Sequence, residues 1–231
     1  MDRRKKSMNT ILLIETSLIL GEVAIFHKEK LIRRAFAENA VHTRMLIPNI
    51  DSLLHELDLG FADIDTIFVN RGPGSHTGVR VGITTARMLA YETNKTLLGV
   101  SALEILALKA SETLDLSEKY KILLPTVYCR QGELYCQKFD ADAVPLTKPY
   151  IENSDILQKE LAENVEMYAF GQAAIKELSI ENPPYECDVE FLLKRGKKIL
   201  ETKPDAEFIE DSLTPLYLRP PLANPRKRNS V

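Results

Sequence analysis

Strand-like and helix-like segments follow one another along this chain in an order that only a few folds share. Three short runs rich in apolar and β-branched residues open the chain, at Thr10–Glu15, Gly21–His27 and residues 30–38, with turns between them. Apolar residues then recur at helical spacing over residues 45–57, with Pro48 in the first turn, where proline is tolerated. A three-stranded meander followed by a helix is therefore predicted.

Strands and helices alternate after this first helix. The predicted elements are a strand, a helix, a second strand and a second helix, at residues 65–70, 79–94, 96–100 and 101–114. Ser101 and Glu104 have the spacing of a capping box at the start of the last helix. Because parallel strands need such crossovers, residues 10–115 predict the order βββαβαβα, which is ribonuclease-H-like α/β topology.

The second half repeats this order in a weaker form, without any sequence repeat between the halves. Strands are predicted at residues 121–128, 133–139, 144–151 and 166–170. Helices are predicted from residue 154 and at residues 172–178 and 189–202, and Pro183, Pro184 and Pro204 interrupt the pattern. Two βββαβαβα-type lobes, the second degenerate, make the architecture of actin, sugar kinases and the heat-shock ATPases. The predicted boundaries give lobes at residues 10–115 and 116–218, between flexible basic ends at residues 1–9 and 219–231.

The basic residues are concentrated at the two ends of the chain. The formal net charge is −3, and because the ends carry about plus seven, the body between them is near minus ten. An acidic body argues against a folded surface that captures nucleic acid unaided. Solvated, disordered tails are the simpler interpretation of the ends, and contact of these tails with RNA is the alternative.

Cysteine usage favours a reduced compartment. Cys129, Cys136 and Cys187 cannot all pair with one another, and none has the spacing of a zinc site. The apolar run that begins at Ile11 ends at Glu15, which is too short for a signal peptide, and no apolar stretch of about 18 residues is available to span a membrane. We therefore expect a cytoplasmic protein with no membrane partner.

The segment from Arg71 to Gly82 carries the most informative motif. Its glycines permit positive φ angles and close backbone approach, and the helix N-terminus that follows offers free N–H groups to an anion. A phosphate-loop-like turn would comprise Gly72, Gly74, Ser75, Thr77 and Gly78. The motif matches neither a Walker loop nor the dinucleotide fingerprint. A tight strand-to-helix turn, with Ser75 or Thr77 capping the helix, is the alternative.

Other catalytic arrangements find little support in the residues. A nuclease of this fold needs several carboxylates, but only Glu15 is well placed on the first strand, because Asp63 and Asp65 read more simply as turn and cap residues. A kinase needs a phosphate loop in each lobe, and the turn after Phe170 is a weak candidate for the second one. The residues alone therefore favour neither activity.

Seven pieces of sequence form a combined pattern. They are residues 11–17, 42–43, 46–48, 72–82, 99–103, 130–135 and 215–219. This pattern resembles one family over most of the chain, the bacterial TsaB (YeaZ) proteins of tRNA threonylcarbamoyladenosine synthesis, and the glycine motif is its most specific part. Three residues depart from the family: Glu15 and Tyr128 stand where aspartates are usual, and His76 stands where phenylalanine is usual. The first two departures weaken a nucleotide or metal role at those positions.

The resemblance implies a non-catalytic paralogue of TsaD, the enzyme that holds a metal and transfers threonylcarbamoyl to the adenosine beside the anticodon of tRNA. TsaD is expected to hold its metal with two histidines four residues apart, whereas here Leu46 stands four residues after His42, and His27, His55 and His76 have no partner histidine. No catalytic residue, metal site or cofactor of the chain alone is implied. ATP at the complex interface, an ATPase subunit TsaE joined through the complex, tRNA contacts made only through the complex and a competing homodimer are implied as well.

A helical wheel gives the helix at residues 79–94 two apolar faces. The predicted core face comprises Val79, Gly82, Ile83, Ala86, Leu89 and Ala90. The predicted partner interface comprises Val81, Thr84, Met88 and Tyr91 on the other face, with Leu53 and Leu57 of the preceding helix. Coverage of this second face within the lobe is the alternative, and the resemblance favours a helix bundle with TsaD.

An independent ATP-dependent phosphotransferase or hydrolase of the same fold is the alternative function.

Overall fold

The computed structural model of the protein describes residues 9–17, 20–36, 42–114, 120–180, 186–202 and 214–216. The strands in these ranges are β1 (Thr10–Glu15), β2 (Gly21–His27), β3 (Lys30–Phe36), β4 (Thr66–Asn70), β5 (Thr96–Val100), β6 (Ile122–Arg130), β7 (Glu133–Cys136), β8 (Phe139–Asp140), β9 (Tyr150–Asn153) and β10 (Met167–Phe170). The helices are α1 (His42–Glu56), α2 (His76–Thr93), α3 (Ala102–Thr113), α4 (Ser154–Glu163), α5 (Gln172–Leu178) and α6 (Val189–Thr202). The predicted basic ends lie outside the described residues, apart from position 9, as do Pro183, Pro184 and Pro204.

The first sheet has the strand order β3-β2-β1-β4-β5. β1 pairs antiparallel with β2 and β2 with β3, whereas β4 lies parallel to both β1 and β5. With the intervening helices, this confirms the predicted order βββαβαβα and the ribonuclease-H-like fold of the first lobe. The carboxyl ends of the three parallel strands meet at one edge, where Glu15, Asn70 and Ser101 lie.

Helices cover both faces of the first sheet, which explains why β1 is apolar at consecutive positions. Leu12 and Ile14 pack in the cluster that contains α1 and α2, and Ile11 and Leu13 pack in the cluster that contains α3 and α6. Side chains alternate along a strand, so Glu15, two residues after Leu13, lies on the face covered by α3 and α6.

Helix α6 packs against β1, β4 and α3 of the first lobe, although the predicted boundary at residue 116 assigns it to the second. Gly196 permits a close approach, because a Cβ atom there would run into the ring of Phe68 on β4. Lys194 pairs with Glu112 on α3 at 2.7 Å. The core of the first lobe therefore includes a helix from late in the chain, and the predicted boundary needs this correction.

The second sheet has the order β10-β6-β7-β9, with β8 paired to β6. β6 and β7 form the predicted hairpin. The predicted third strand at residues 144–151 is wrong for most of its length, because Asp140 Oδ1 accepts hydrogen bonds from the amides of Asp142 and Val144 and holds a turn there. Only the end of the predicted strand is realised, as part of β9, which pairs antiparallel with β7. Within the described ranges this lobe has no counterpart of β5, which agrees with a degenerate second lobe.

The start of α2 and the cap of α3 differ from their predictions. α2 begins at His76 rather than at residue 79, because Ser75 already caps it. Ser101 is the N-cap of α3, but its side chain makes no capping hydrogen bond, so the predicted capping box is wrong. The other member of that box, Glu104, pairs instead with Arg195 on α6 at 3.4 Å. None of the helices in the described part of the chain is long and apolar enough to traverse a lipid bilayer.

Candidate functional site

The glycine motif forms a turn between β4 and α2 at the carboxyl edge of the first sheet. Gly72 has a φ of +87°, which residues with a side chain rarely adopt, and the Gly72–Pro73 peptide bond is cis. The Ala102 amide donates to the Gly72 carbonyl (2.8 Å), and the Arg71 amide donates to the Val100 carbonyl (2.9 Å). These hydrogen bonds tie the turn to the junction of β5 and α3.

The later glycines of the motif bring α2 against the end of β1. A Cβ atom at Gly74 would overlap the Ser17 carbonyl, and a Cβ atom at Gly78 would overlap the Thr16 carbonyl. Thr16 Oγ1 also donates a hydrogen bond to the Gly78 carbonyl (2.8 Å). Contact between two backbone segments thus accounts for the glycine spacing, which supports the tight-turn interpretation. A phosphate-loop-like role stays a prediction, and protein backbone already fills the space beside Gly74 and Gly78.

Ser75 fixes the start of α2. Its Oγ accepts a hydrogen bond from the Gly78 amide (3.2 Å), and its own amide donates to the Ser17 carbonyl (2.6 Å). Of the two predicted capping residues, Ser75 is therefore the cap, while Thr77 is exposed in the first turn of the helix. The N-terminus of α2 is anchored to the residues that follow β1.

Replacing Ser75 with alanine is expected to lower the free energy of unfolding by about 1 kcal/mol, because the Gly78 amide loses its acceptor. Ser101→Ala is the matched control, since Ser101 is the N-cap of α3 and its buried hydroxyl has no hydrogen-bond partner among the residues that the structure describes. We expect no loss of stability in S101A. Urea denaturation followed by circular dichroism measures both variants, and equal losses would contradict the capping role of Ser75.

A buried polar network lies beside this turn. Glu15 is 0% exposed, and its Oε1 accepts hydrogen bonds from the amide (2.6 Å) and the hydroxyl (2.7 Å) of Ser17. Its Oε2 accepts a hydrogen bond from Asn70 Nδ2, and Asn70 Oδ1 accepts one from the Gly72 amide (2.8 Å). Burial raises the pKa of the Glu15 carboxyl, and the hydrogen bonds from Ser17 and Asn70 oppose that rise. Both oxygens of this first-strand carboxylate are engaged by protein groups.

Further titratable groups surround Glu15. Glu22 lies opposite it on β2, and burial raises the pKa of Glu22 as well. Lys109 on α3 pairs with Asp188, just before α6, at 2.7 Å, and burial raises the pKa of the neighbouring Cys187 thiol. Sequence reasoning missed this cluster because its members come from distant segments that meet only in the fold. The one available signal was an aspartate directly before the helical pattern of α6.

A narrow cleft beside the glycine turn leaves almost no free space. It is lined by Arg71, Gly72, Pro73, Gly74, His76, Val79, Tyr135, Pro215 and Leu216. The Leu216 amide donates to the Arg71 carbonyl (3.0 Å), so residues 214–216 cross the turn. The remaining volume of ≈ 10 Å³ holds about one water molecule. ATP at a complex interface stays a prediction.

The outer face of α2 is exposed to solvent. Met88 is 52% exposed and Tyr91 85%, and Thr84 is exposed beside them; we call these three residues the outer strip of α2. Val81 and Leu57 are half-buried and pack against the core of the first lobe. Leu53 is 1% exposed because it faces the sheet from α1, so its assignment to a partner interface is wrong.

The inner face of α2 agrees with its prediction. Its buried residues are Gly78, Val79, Gly82, Ile83, Ala86, Leu89 and Ala90, and they include all six predicted members of the core face. Met45 on α1 is also partly exposed and was not selected from the sequence. The sequence pattern predicts a helix that begins at Met45, whereas α1 begins at His42. Met45 therefore lies within the first turn of α1, with part of its side chain in solvent.

The other candidate residues lie apart from the turn or have simple structural roles. Tyr128 is exposed near the end of β6, with Lys176 Nζ 5.5 Å from the centre of its ring. Asp63 and Asp65 each accept backbone hydrogen bonds, which confirms them as turn and cap residues. The side chain of His42 lies outside the described part. Among described residues, no group of three or more His, Cys, Asp or Glu is arranged to hold a metal ion.

These features define a class of protein: a two-lobed ribonuclease-H-like fold whose first-strand carboxylate and glycine turn are both packed against protein groups. Solved structures share the fold. YeaZ from Pseudomonas aeruginosa has a TM-score of 0.72 and 21% identity, over 91% of this chain and 100% of that one. A second Pseudomonas aeruginosa structure, of an uncharacterized protein with similarity to peptidase YEAZ, has a TM-score of 0.73 and 22% identity, over 92% and 100%.

Sequence comparison narrows the class to a family. The family model of TsaD, tRNA N6-adenosine threonylcarbamoyltransferase, matches residues 37–196. The tRNA threonylcarbamoyladenosine biosynthesis protein TsaB of Bacillus subtilis is 32% identical over 127 residues, which cover 54% of this chain and 53% of that protein. The tRNA N6-adenosine threonylcarbamoyltransferase of Methylobacterium nodulans is 45% identical over 83 residues, or 36% of this chain and 24% of that enzyme. The chain belongs to the TsaD family, as one of its TsaB (YeaZ) members. It spans about half the length of the curated TsaB relatives that it matches.

Proposed function

We propose that the chain is a non-catalytic scaffold subunit for the synthesis of N6-threonylcarbamoyladenosine in tRNA. It pairs with a catalytic paralogue of the TsaD type, which transfers threonylcarbamoyl to the adenosine beside the anticodon. The observation that carries the proposal is the outer strip of α2, where the large side chains of Met88 and Tyr91 face solvent. The names of the TsaB relatives, which refer to threonylcarbamoyladenosine biosynthesis, support the reaction.

The outer strip fits a partner surface better than a free surface. Tyrosine is enriched in interface hot spots because it buries a large rigid ring, and methionine adapts its shape to a facing surface. Met88 and Tyr91 lie on the side of α2 opposite the residues that pack on the sheet, so a helix of a partner can lie along them. The family model describes both the transferases and this chain, so the equivalent helix of the paralogue is the proposed counterpart.

The environment of Glu15 supports a role without chemistry in this chain. The Glu15 carboxyl is fully buried, and both of its oxygens accept hydrogen bonds from protein groups, namely Ser17 and Asn70. The cleft beside the glycine turn holds about one water molecule. In this proposal the chain acts by holding its partner, and any ATP binds at the interface of the complex.

The proposal includes the other partners that the resemblance implies. tRNA is contacted only through the complex, and the ATPase subunit TsaE joins through the complex. A homodimer formed by two copies of the outer strip competes with the paralogue for the same surface. Because the substrate is tRNA, a cytoplasmic location is part of the proposal.

Reconstituted transfer tests the proposed function. The TsaD-type paralogue from the same source is incubated with tRNA and a threonylcarbamoyl donor, with and without this chain, and modified adenosine is quantified after nuclease digestion. We expect substantial product only when both proteins are present, and neither product nor ATP turnover from this chain alone. Robust ATP turnover by the chain alone would instead identify an independent phosphotransferase or hydrolase of the same fold.

A further inference from the structure

The Glu15 carboxyl is connected to the start of α2 through one residue. Its Oε1 accepts hydrogen bonds from the amide and the hydroxyl of Ser17, at 2.6 and 2.7 Å. The carbonyl of the same Ser17 accepts a hydrogen bond from the Ser75 amide at 2.6 Å, and Ser75 is the N-cap of α2. Glu15 therefore holds the residue that holds the first turn of the helix.

A second set of hydrogen bonds runs from Glu15 to the glycine turn. Its Oε2 accepts a hydrogen bond from Asn70 Nδ2, and Asn70 Oδ1 accepts one from the Gly72 amide at 2.8 Å. A buried carboxyl that receives three donors joins β1, β4 and the turn at one point, where each hydrogen bond is stronger than in water. The turn and the N-cap of α2 are thus both connected to this one side chain.

We propose that Glu15 is a positioning residue for α2, and that the charge on its carboxyl sets how firmly the N-terminus of this helix is anchored. No partner or ligand is needed for this part of the inference. Its functional consequence rests on the proposed function, because α2 carries the outer strip that would contact the paralogue. Loosening the first turn would move Thr84, Met88 and Tyr91 relative to the rest of the lobe.

The direction of the effect follows from burial. Burial raises the pKa of the Glu15 carboxyl above its ordinary value of 4.5. When the start of α2 opens and Glu15 reaches water, its pKa returns to the ordinary value, so the closed state binds more protons between the two pKa values. Opening therefore becomes easier as the pH rises through this interval, and harder as the pH falls.

The effect of Glu15 on α2 has to be distinguished from the effects of other charged or titratable groups nearby. They are Glu22 on β2, Arg33 on β3, Lys109 on α3, and Cys187 and Asp188 before α6. Glu22 is the matched control, because it lies opposite Glu15 on the neighbouring strand and burial raises its pKa too. Its Oε2 accepts a hydrogen bond from the Val189 amide (3.2 Å) at the start of α6, so its link is to a different helix.

Amide hydrogen exchange of the full chain, between about pH 5 and about pH 8, tests the proposal. After correction for intrinsic exchange, protection of the Ser75, Gly78 and Val79 amides is expected to fall with rising pH, by up to about tenfold per pH unit. Leu89 and Ala90, near the other end of α2, should keep their protection. Glu15→Gln should abolish the pH dependence, and Glu22→Gln should leave it in place.

Each outcome decides the proposal. Protection at the start of α2 that is independent of pH in the wild type overturns it, as does a pH dependence that survives in E15Q or disappears in E22Q. If E15Q does not fold, the wild-type and E22Q series decide alone. In the same pH range, affinity for the paralogue should fall with rising pH in the wild type but not in E15Q. Because exchange is measured without a partner, a failure of the proposed pairing leaves the exchange result unaffected.

Discussion

Gly78→Ala is expected to lower the free energy of unfolding by about 3 kcal/mol, in the upper part of the range for overpacked substitutions. The added Cβ would meet the Thr16 carbonyl, which can move away only if α2 separates from the end of β1. Helix propensity alone predicts the opposite sign, because alanine stabilises a helix interior by about 1 kcal/mol relative to glycine. A decrease in the free energy of unfolding would thus show that Gly78 is needed for close packing, whereas an increase would show that only its low helix propensity matters.

Two further alanine variants complete this test. Gly74→Ala should be destabilising for the same reason, since its Cβ would overlap the Ser17 carbonyl. Gly60→Ala is the matched control, because a Cβ there meets only Asp63 at 3.8 Å, an ordinary contact, and we expect a change below about 1 kcal/mol. Urea unfolding measured by circular dichroism compares the three variants. Wild-type stability of G78A would show that α2 does not need this close approach.

The double variant Met88→Glu with Tyr91→Glu is expected to weaken binding of the paralogue at least about 100-fold. Binding would bury two carboxylates without partners in a surface that otherwise takes apolar side chains, and unpaired buried charge is strongly unfavourable. Both residues are exposed in the free chain, so the free energy of unfolding should change by less than about 0.5 kcal/mol. Val81 is left unchanged because it packs against the core, where a charge would alter stability and binding together.

Ile156→Glu provides the control for this double variant. Ile156 lies on α4 of the second lobe and is about as exposed as Met88, so it tests whether any added charge on an exposed apolar residue weakens binding. Isothermal titration calorimetry with the purified paralogue gives the dissociation constants. Equal weakening by I156E, or full affinity of the double variant, would show that the outer strip of α2 is not the contact surface.

The order of elements in the first lobe could be predicted because it depends on local patterns. β1 is apolar at consecutive positions, as a strand covered on both faces must be, and α2 shows its core face at helical spacing. These patterns need no knowledge of distant residues. The glycine motif was likewise recognisable as a strand-to-helix turn, although the groups that its glycines approach were not.

Several of the wrong predictions concern contacts between distant segments. Glu104 has the spacing of a capping box but is drawn into an ion pair with Arg195, which is 91 residues away along the chain. Leu53 was assigned to the partner interface, but helical spacing along α1 does not show which apolar residues are buried, and Leu53 is 1% exposed. The position of α6 on the first sheet depends on Gly196 fitting against Phe68. Contacts of this kind produce no periodic pattern in a single sequence, so they could not be predicted from it.

In the candidate site, too, the local features could be predicted and the contacts between distant segments could not. Glu15 was recognised as the first-strand carboxylate, because its place at the end of β1 is a local fact. Its enclosure by Ser17 and Asn70 could not be predicted, since Asn70 reaches it only through the parallel pairing of β1 and β4. The hydrogen bonds from Ser17 and Asn70 make Glu15 a structural junction between β1, β4 and the glycine turn.

In the proposed function, this chain acts by pairing with a paralogue through the outer strip of α2, without chemistry of its own. Size-exclusion chromatography with light scattering on the wild-type chain mixed with the TsaD-type paralogue measures this pairing most directly. We predict a complex containing one copy of each protein, formed at the expense of any homodimer and lost with the Met88 and Tyr91 double variant. Separate elution of the two wild-type proteins, or a complex that the double variant leaves intact, would contradict the claim.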